Sequence, residues 1–123
     1  MGAERGGRSG PGWVRVAGAA GGGLRFPAMI RVSVTYPSAE GSTFDHDYYA
    51  ATHVPMCVDA WSPVKSEIDK GINGPNVAAV HLYFDSMEQF QTAMGSPKTA
   101  AVMADVANYT NIAPGMQISE IVG

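Results

Sequence analysis

Between Ile30 and Tyr36 every second residue is apolar: Ile30, Val32, Val34 and Tyr36 alternate with Arg31, Ser33 and Thr35. A strand patterned this way has one face to bury, so the rest of the chain must supply a layer to cover it. Pro37 stops the strand, and Ser38 to Ser42 read as a polar loop. From about Thr43 to Met56 the period turns helical, with Phe44, Tyr48 and Ala51 on one face and Asp45 and Asp47 at the start. Pro55 is expected to bend or end that helix.

A second strand is expected from about Val64 to Ile72, with Val64, Ile68 and Ile72 on one side. The turn signal Asn73-Gly74-Pro75 leads into a third strand, Val77 to Phe84. Asp85 and Ser86, each followed three residues later by Glu88 or Gln89, mark a helix start. Met87, Phe90 and Met94 form its apolar stripe, and Gly95 ends it. Ser96-Pro97 opens a further helix that carries Val102, Met103 and Val106 inward, and a last strand covers about Gly115 to Ile121. Strand, helix, strand, strand, helix in two pieces, strand is the ferredoxin-like α+β order, βαββαβ, with a four-stranded antiparallel sheet. Its helices cover one face only. A second copy is the simplest cover for the other, which predicts a homodimer.

Residues 1–28 differ from the rest. They hold nine of the fifteen glycines, among them Gly21-Gly22-Gly23, and few large apolar side chains. Glycine at that density makes ordering costly, so residues 1–28 are expected to be a disordered tail, as an upstream start would produce, and residues 29–123 the folded domain. Arg15 and the glycines interrupt any secretory signal. Four arginines and Glu4 give the tail +3, so within a total of −3 the body carries −6. An acidic body with only Arg31, Lys65, Lys70 and Lys98 disfavours nucleic acid as a partner. No apolar run reaches the roughly 20 residues of a membrane span, and a soluble, cytoplasmic protein is expected. Cys57 is the single cysteine, which excludes an intrachain disulfide and a multi-cysteine zinc site.

The densest polar and aromatic cluster runs from Phe44 to Met56. At about 100° per residue His46, Tyr49, Ala50 and His53 share a stripe, with Tyr49 and His53 one turn apart. A phenol beside an imidazole is an acid–base pair in reach of neutral pH. His46 near the helix start reads as a surface residue; His53, flanked by apolar residues, is either an acid–base group or a structural one. The two do not share a metal, because seven residues rise about 10.5 Å along a helix. His81 reads either as a hydrogen-bonded core or interface residue or as a pocket residue beside Tyr83, and Cys57 as a buried thiol. Glycine-rich nucleotide loops and a nucleophile elbow are absent.

The motif Phe44-Asp45-x-x-Tyr48-Tyr49-x-x-x-His53-x-Pro55 resembles the signature of the EthD family, named for ethyl tert-butyl ether degradation. His81-Leu82-Tyr83-Phe84-Asp85-Ser86, Asn108-Tyr109-Thr110-Asn111 and Gln117-Ile118-Ser119-Glu120 are similar to later segments of that family, so the resemblance spans Met29 to Val122. It implies a dimeric α+β barrel and a part in the breakdown of a small hydrophobic or aromatic compound, beside an oxygenase partner. Two roles follow. One is a cofactor-independent, monooxygenase-like enzyme, or a cyclase, isomerase or dehydratase, with His53, Tyr49 and Asp45 catalytic and Tyr48, His81, Tyr83 and Phe44 binding substrate. The other is a non-catalytic accessory protein that holds the compound for the oxygenase. No cofactor is implied; the body lacks the arginine-rich rim that haem propionates require.

Overall fold

Alternation sets the sheet. The computed structural model describes residues 28–123, so the tail read over residues 1–28 lies outside the described residues except for Ala28. In β1 (Ile30–Pro37) Ile30, Val32 and Tyr36 are buried. β1 pairs antiparallel with β3 (Asn76–Phe84) in the register Val32↔Leu82 and Val34↔Val80, which puts both apolar rows on one face. β2 (Lys65–Lys70) lies on the other side of β3, and β4 (Gly115–Glu120) beside β1, giving the order β2-β3-β1-β4. This is the ferredoxin-like α+β arrangement with a four-stranded antiparallel sheet. β2 is shorter than the sequence suggests, and its apolar row is not buried: Val64, Ile68 and Ile72 are exposed. As the edge strand it lies beyond the reach of the covering helices.

The first helix, α1, runs over residues 46–61 in three stretches: α-helical His46–Tyr48, a π-turn Tyr49–His53, and α-helical Val54–Trp61. Pro55 does not end it. Inside an α-helix, proline forfeits one hydrogen bond and its ring strikes the carbonyl four residues back. Here the Val54 N–H donates five residues back, to the Tyr49 carbonyl, and the widened turn admits the ring. The helix ends at Ser62, which takes the left-handed φ of 48° ahead of Pro63.

The π-turn also corrects the expected stripe. Tyr49, His53, Cys57 and Trp61 all point inward, four residues apart each time. Four residues of α-helix overshoot a full turn by about 40°, so three such steps would carry Trp61 well round the helix. One wide turn absorbs much of that drift. Ala50 is accordingly exposed, and His46, half-buried, packs its ring 4.7 Å from Phe44.

The second helix, α2 (Met87–Met94), is capped as its sequence suggests: Ser86 Oγ accepts from the Gln89 N–H at 3.1 Å. Phe90 and Ala93 are buried, whereas Met87 is exposed in the first turn. The third, α3 (Thr99–Asp105), begins two residues after Pro97, which instead occupies the preceding turn. It continues as a 3₁₀ turn, Val106–Asn108. Val102 is buried, but Met103 is half exposed. Phe84, fully buried with its ring 5.6 Å from Phe90, anchors α2 to the sheet; truncating such a residue costs about 3–5 kcal/mol.

The uncovered sheet face departs from expectation. It is largely polar: beside Val77 and Ala79 of β3 it carries Ser33 and Thr35 from β1, Lys65, Glu67 and Asp69 from β2, and His81 and Tyr83 from β3. These are the alternate positions of the same strands, and polar ones among them bond one another. His81 Nδ1 lies 2.8 Å from Ser33 Oγ, its Nε2 lies 2.8 Å from Asp69 Oδ2, and the Tyr83 hydroxyl donates to Glu67 at 2.7 Å. A second copy placed on this face would meet a mixed, hydrogen-bonded surface.

Residues 30–119 form one unit, and the features above belong to it apart from the last residue of β4. In the other unit the described residues join through the Ile121 N–H, which donates to the Met29 carbonyl at 3.0 Å. No helix among the described residues is long and apolar enough to cross a membrane.

Candidate active site

Two remote segments meet where α1 begins. The Asp45 N–H donates to the Tyr109 carbonyl at 2.8 Å, Thr110 Oγ1 donates to the Thr43 carbonyl at 2.6 Å, and the Thr43 N–H donates to Asn111 Oδ1 at 2.9 Å. This clasp fixes the start of α1 against the end of α3. Rings close the gap behind it: Tyr36, Phe44, Tyr49 and Tyr109 pack with centroids 5.0–6.0 Å apart, mostly edge to face. The Tyr36 and Tyr109 hydroxyls share a hydrogen bond of 2.7 Å.

Asp105 is brought to His53 by this arrangement. His53 is 4% exposed, and its Nδ1 lies 2.9 Å from Asp105 Oδ2. The carboxylate also accepts from the Tyr48 hydroxyl at 2.7 Å and from Asn108 Nδ2 at 2.9 Å. Burial alone would raise the Asp105 pKa, but hydrogen bonds from Asn108, Tyr48 and His53 outweigh it and hold the carboxyl below its ordinary value. An ionised carboxylate only accepts, so Nδ1 carries a proton, and whenever the ring holds a single proton the lone pair is on Nε2. Bonding to Asp105 also raises the phenol of Tyr48, keeping it a donor.

On its other side His53 borders a cavity of about 130 Å³ between the helices and the sheet. Its wall is largely apolar, with Val32, Leu82, Phe84, Phe90, Met94 and Trp61 among its members. Met103 and Met116, both more than half exposed, line it as well. Tyr49 reaches the same space, its ring stacked on His53 at 5.5 Å and 17°. Burial drives the Tyr49 phenol far above its ordinary pKa, so it stays protonated. Cys57 also lines the wall, and burial pushes its thiol up to about 12, which leaves it an unreactive neighbour at neutral pH.

Of the residues singled out in the sequence, His53, Tyr49, Tyr48 and Phe44 come together here. Asp45 does not join them: it is exposed, and its Oδ1 accepts from the Tyr48 N–H at 3.0 Å as the helix cap. His81 and Tyr83 lie on the opposite sheet face, away from the cavity. Asp105 was missed. Its signal is a carboxylate three residues after Val102, on the stripe of α3 that turns inward.

The EthD domain model matches residues 75–113. An EthD-like protein from Ralstonia eutropha JMP134 is 40% identical, with a TM-score of 0.72 over 80% of this chain and 96% of its own. An ethyl tert-butyl ether degradation family protein from Bacillus halodurans C-125 is 19% identical, with a TM-score of 0.61 over 76% of this chain and 98% of its own. SnoaB, a cofactor-independent oxygenase from Streptomyces nogalater, shares the fold at 8% identity, with a TM-score of 0.54 over 78% of this chain and 93% of its own. Among curated proteins none matches.

Proposed function

The chain belongs to the EthD-like family, and from that premise we propose that it transforms a small hydrophobic or aromatic compound in the helix–sheet cavity, with His53 as acid–base. One observation carries this reading: a buried imidazole, held by an ionised carboxylate through Nδ1, borders an otherwise apolar cavity. Asp105 is the positioning residue. It fixes the tautomer and stabilises the imidazolium once Nε2 has taken a proton. Loss of a proton next to an unsaturated system leaves an electron-rich anion. That step is common to direct oxidation by dioxygen, to isomerisation and to cyclisation, and it draws on no resident cofactor. The fold shared with a cofactor-independent oxygenase supports the first of these.

A second reading has support in the apolar wall: a holding protein would keep the compound for an oxygenase partner and leave His53 structural. One substitution separates the two. Under the enzyme reading His53→Gln stays folded, binds its compound within a few-fold of wild type, and loses turnover by about 100-fold or more. Full turnover in the variant would overturn the acid–base role. Unfolding of the variant would make His53 structural and favour the holding protein.

A further inference from the structure

The cavity beside His53 is not sealed evenly. Of the residues that line it, those that are exposed come from two places. One is Met103 on α3, 52% exposed; the other is the run Pro114-Gly115-Met116 leading into β4, where Met116 is 56% exposed. At the other extreme Phe84 is fully buried, and Leu82, Phe90 and Trp61 are buried around it. Strand register sets these two groups apart. Phe84 pairs with Ile30 at the start of β1. β4 flanks β1 antiparallel, and a methyl on Gly115 would lie 3.3 Å from Thr35 Oγ1, so Met116 stands level with Val34. Four residues of strand, roughly 13 Å, separate the two levels. α3 follows the same course: Thr99 Oγ1 accepts from the Trp61 indole at 2.9 Å, and Asp105 meets His53 at 2.9 Å. Met103 comes two residues before Asp105, about 3 Å of rise, and four after Thr99. The exposed methionines therefore lie toward the His53 end, and the Phe84 end is blind.

Methionine suits such a place. Its side chain is apolar and unbranched and turns about three bonds, so it moves aside for an apolar molecule and closes behind it. Space limits what fits within: about 130 Å³ is slightly below the roughly 150 Å³ of an apolar cavity that takes up benzene. A molecule much larger than one ring must project, and the exposed methionines mark where. We infer that Met103 and Met116 form the mouth of the site. The substrate enters apolar end first and seats no more than one ring against Phe84 and Phe90. Its reacting group then stops beside His53, with any further substituent between the two methionines. This rests on the cavity's being the working site, and it restricts the substrate's shape at the leading end only.

The test is an NMR titration of the full chain with three probes: toluene, the monobenzyl ether of tetraethylene glycol, and a benzene ring carrying that same chain at both para positions. The Trp61 indole N–H reports the blind end, and the methyls of Met103 and Met116 report the mouth. The single-tailed probe should bind within about threefold of toluene and shift both sets of reporters, its ring inside and its chain outside. The double-tailed probe would have to bury one polar chain, and should bind about tenfold more weakly or worse. Met116→Trp narrows the opening; it should weaken the single-tailed probe by about fivefold or more and leave toluene within about twofold. Equal affinity for the two tailed probes, or exclusion of both, would overturn the mouth. So would equal weakening of toluene and the single-tailed probe in Met116→Trp, or a toluene titration that leaves Trp61 unshifted. If the variant does not fold, the wild-type ranking decides alone. No turnover enters these measurements, so the two failures stay distinct. A failed ranking sinks the mouth even where His53→Gln abolishes turnover; the expected ranking with turnover intact in His53→Gln sinks only the acid–base role.

Discussion

His53 and His81 each hold a carboxylate, at 2.9 Å and 2.8 Å, on opposite faces of one sheet. By distance alone the pairs are equivalent. What separates them is the second nitrogen and the surroundings. Nδ1 of His81 is taken by Ser33 Oγ, and the ring lies on a face where Asp69 is more than half exposed. Among the described residues His53 Nε2 has no hydrogen-bond partner, the residue lines an apolar cavity, and its Asp105 is nearly as buried as the histidine itself. The histidine–carboxylate contact is therefore no marker of chemistry; a free nitrogen beside an apolar cavity is. Ser33, His81 and Asp69 even line up as a hydroxyl, imidazole and carboxylate. They sit mid-strand, however, where the ladders on both sides of β1 and β3 use the backbone N–H groups that an oxyanion hole would need.

The sharpest way to break this contrast is to make the same change on both faces. His53→Gln should lower turnover by about 100-fold or more, while His81→Gln stays within about twofold of wild type. Comparable losses in steady-state assays of the two variants would erase the distinction.

Stability should follow the same division with a smaller spread. Asp105→Ala strips His53, the Tyr48 hydroxyl and the Asn108 amide of their shared acceptor in a buried setting. A loss of about 3 kcal/mol or more is expected from urea unfolding. Asp69→Ala removes one partner from an exposed pair and should cost less than about 1 kcal/mol. Similar costs would mean that the Asp105 network is no better shielded than the surface pair.

Acid sharpens the point, and its sign is fixed. The Asp105 carboxyl has a native pKa below its ordinary value near 3.8. Such a group binds fewer protons folded than unfolded at mildly acid pH, so it stabilises the fold above that ordinary value. The contribution is lost as pH falls through the lowered native pKa. Wild-type stability should therefore fall below about pH 4, and Asp105→Asn should flatten the curve in that window. Urea midpoints between pH 2.5 and 6 read this directly. An unchanged slope in the variant would remove Asp105 from the acid response.

How much of this was legible differs by region. Alternation in β1 and β3 is a property of two-residue periodicity, and the element order with the ferredoxin-like sheet followed from it. The same alternation places Arg31, Ser33 and Thr35 on the open face, so the polar character of β1 there is already written in its pattern. In α1 the expected stripe assumes a constant angle per residue. The π-turn breaks that assumption locally and draws Tyr49, His53, Cys57 and Trp61 closer to one line than the spread of about 120° that a regular helix would give them. The family resemblance implies a catalytic Asp45, yet an aspartate at that place satisfies the first-turn N–H groups, and it does so here. Asp105 was hidden for the converse reason. Its partners lie 52 and 57 residues away, and only the clasp between residues 43–45 and 109–111 brings them near.

The smallest expected effect tests the role of the second nitrogen. Ser33→Ala releases His81 Nδ1 and leaves Nε2 bonded to Asp69, so His81 then has the same pattern of one held and one free nitrogen as His53. If a free nitrogen were sufficient, the variant would acquire the reactivity proposed for His53. Among the described residues that nitrogen lies on the polar sheet face beside Ser33 rather than at the apolar cavity, and water is expected to take the lone pair. Turnover should stay within about twofold of wild type, and an already inactive His53→Gln background should gain nothing from the added Ser33→Ala. Stability should change by less than about 1 kcal/mol, since the bond lost is only part-buried and water replaces it. Recovery of activity in the double variant would show that a held imidazole with a free nitrogen works without a cavity, and the division between the two faces would then rest on nothing more than Ser33.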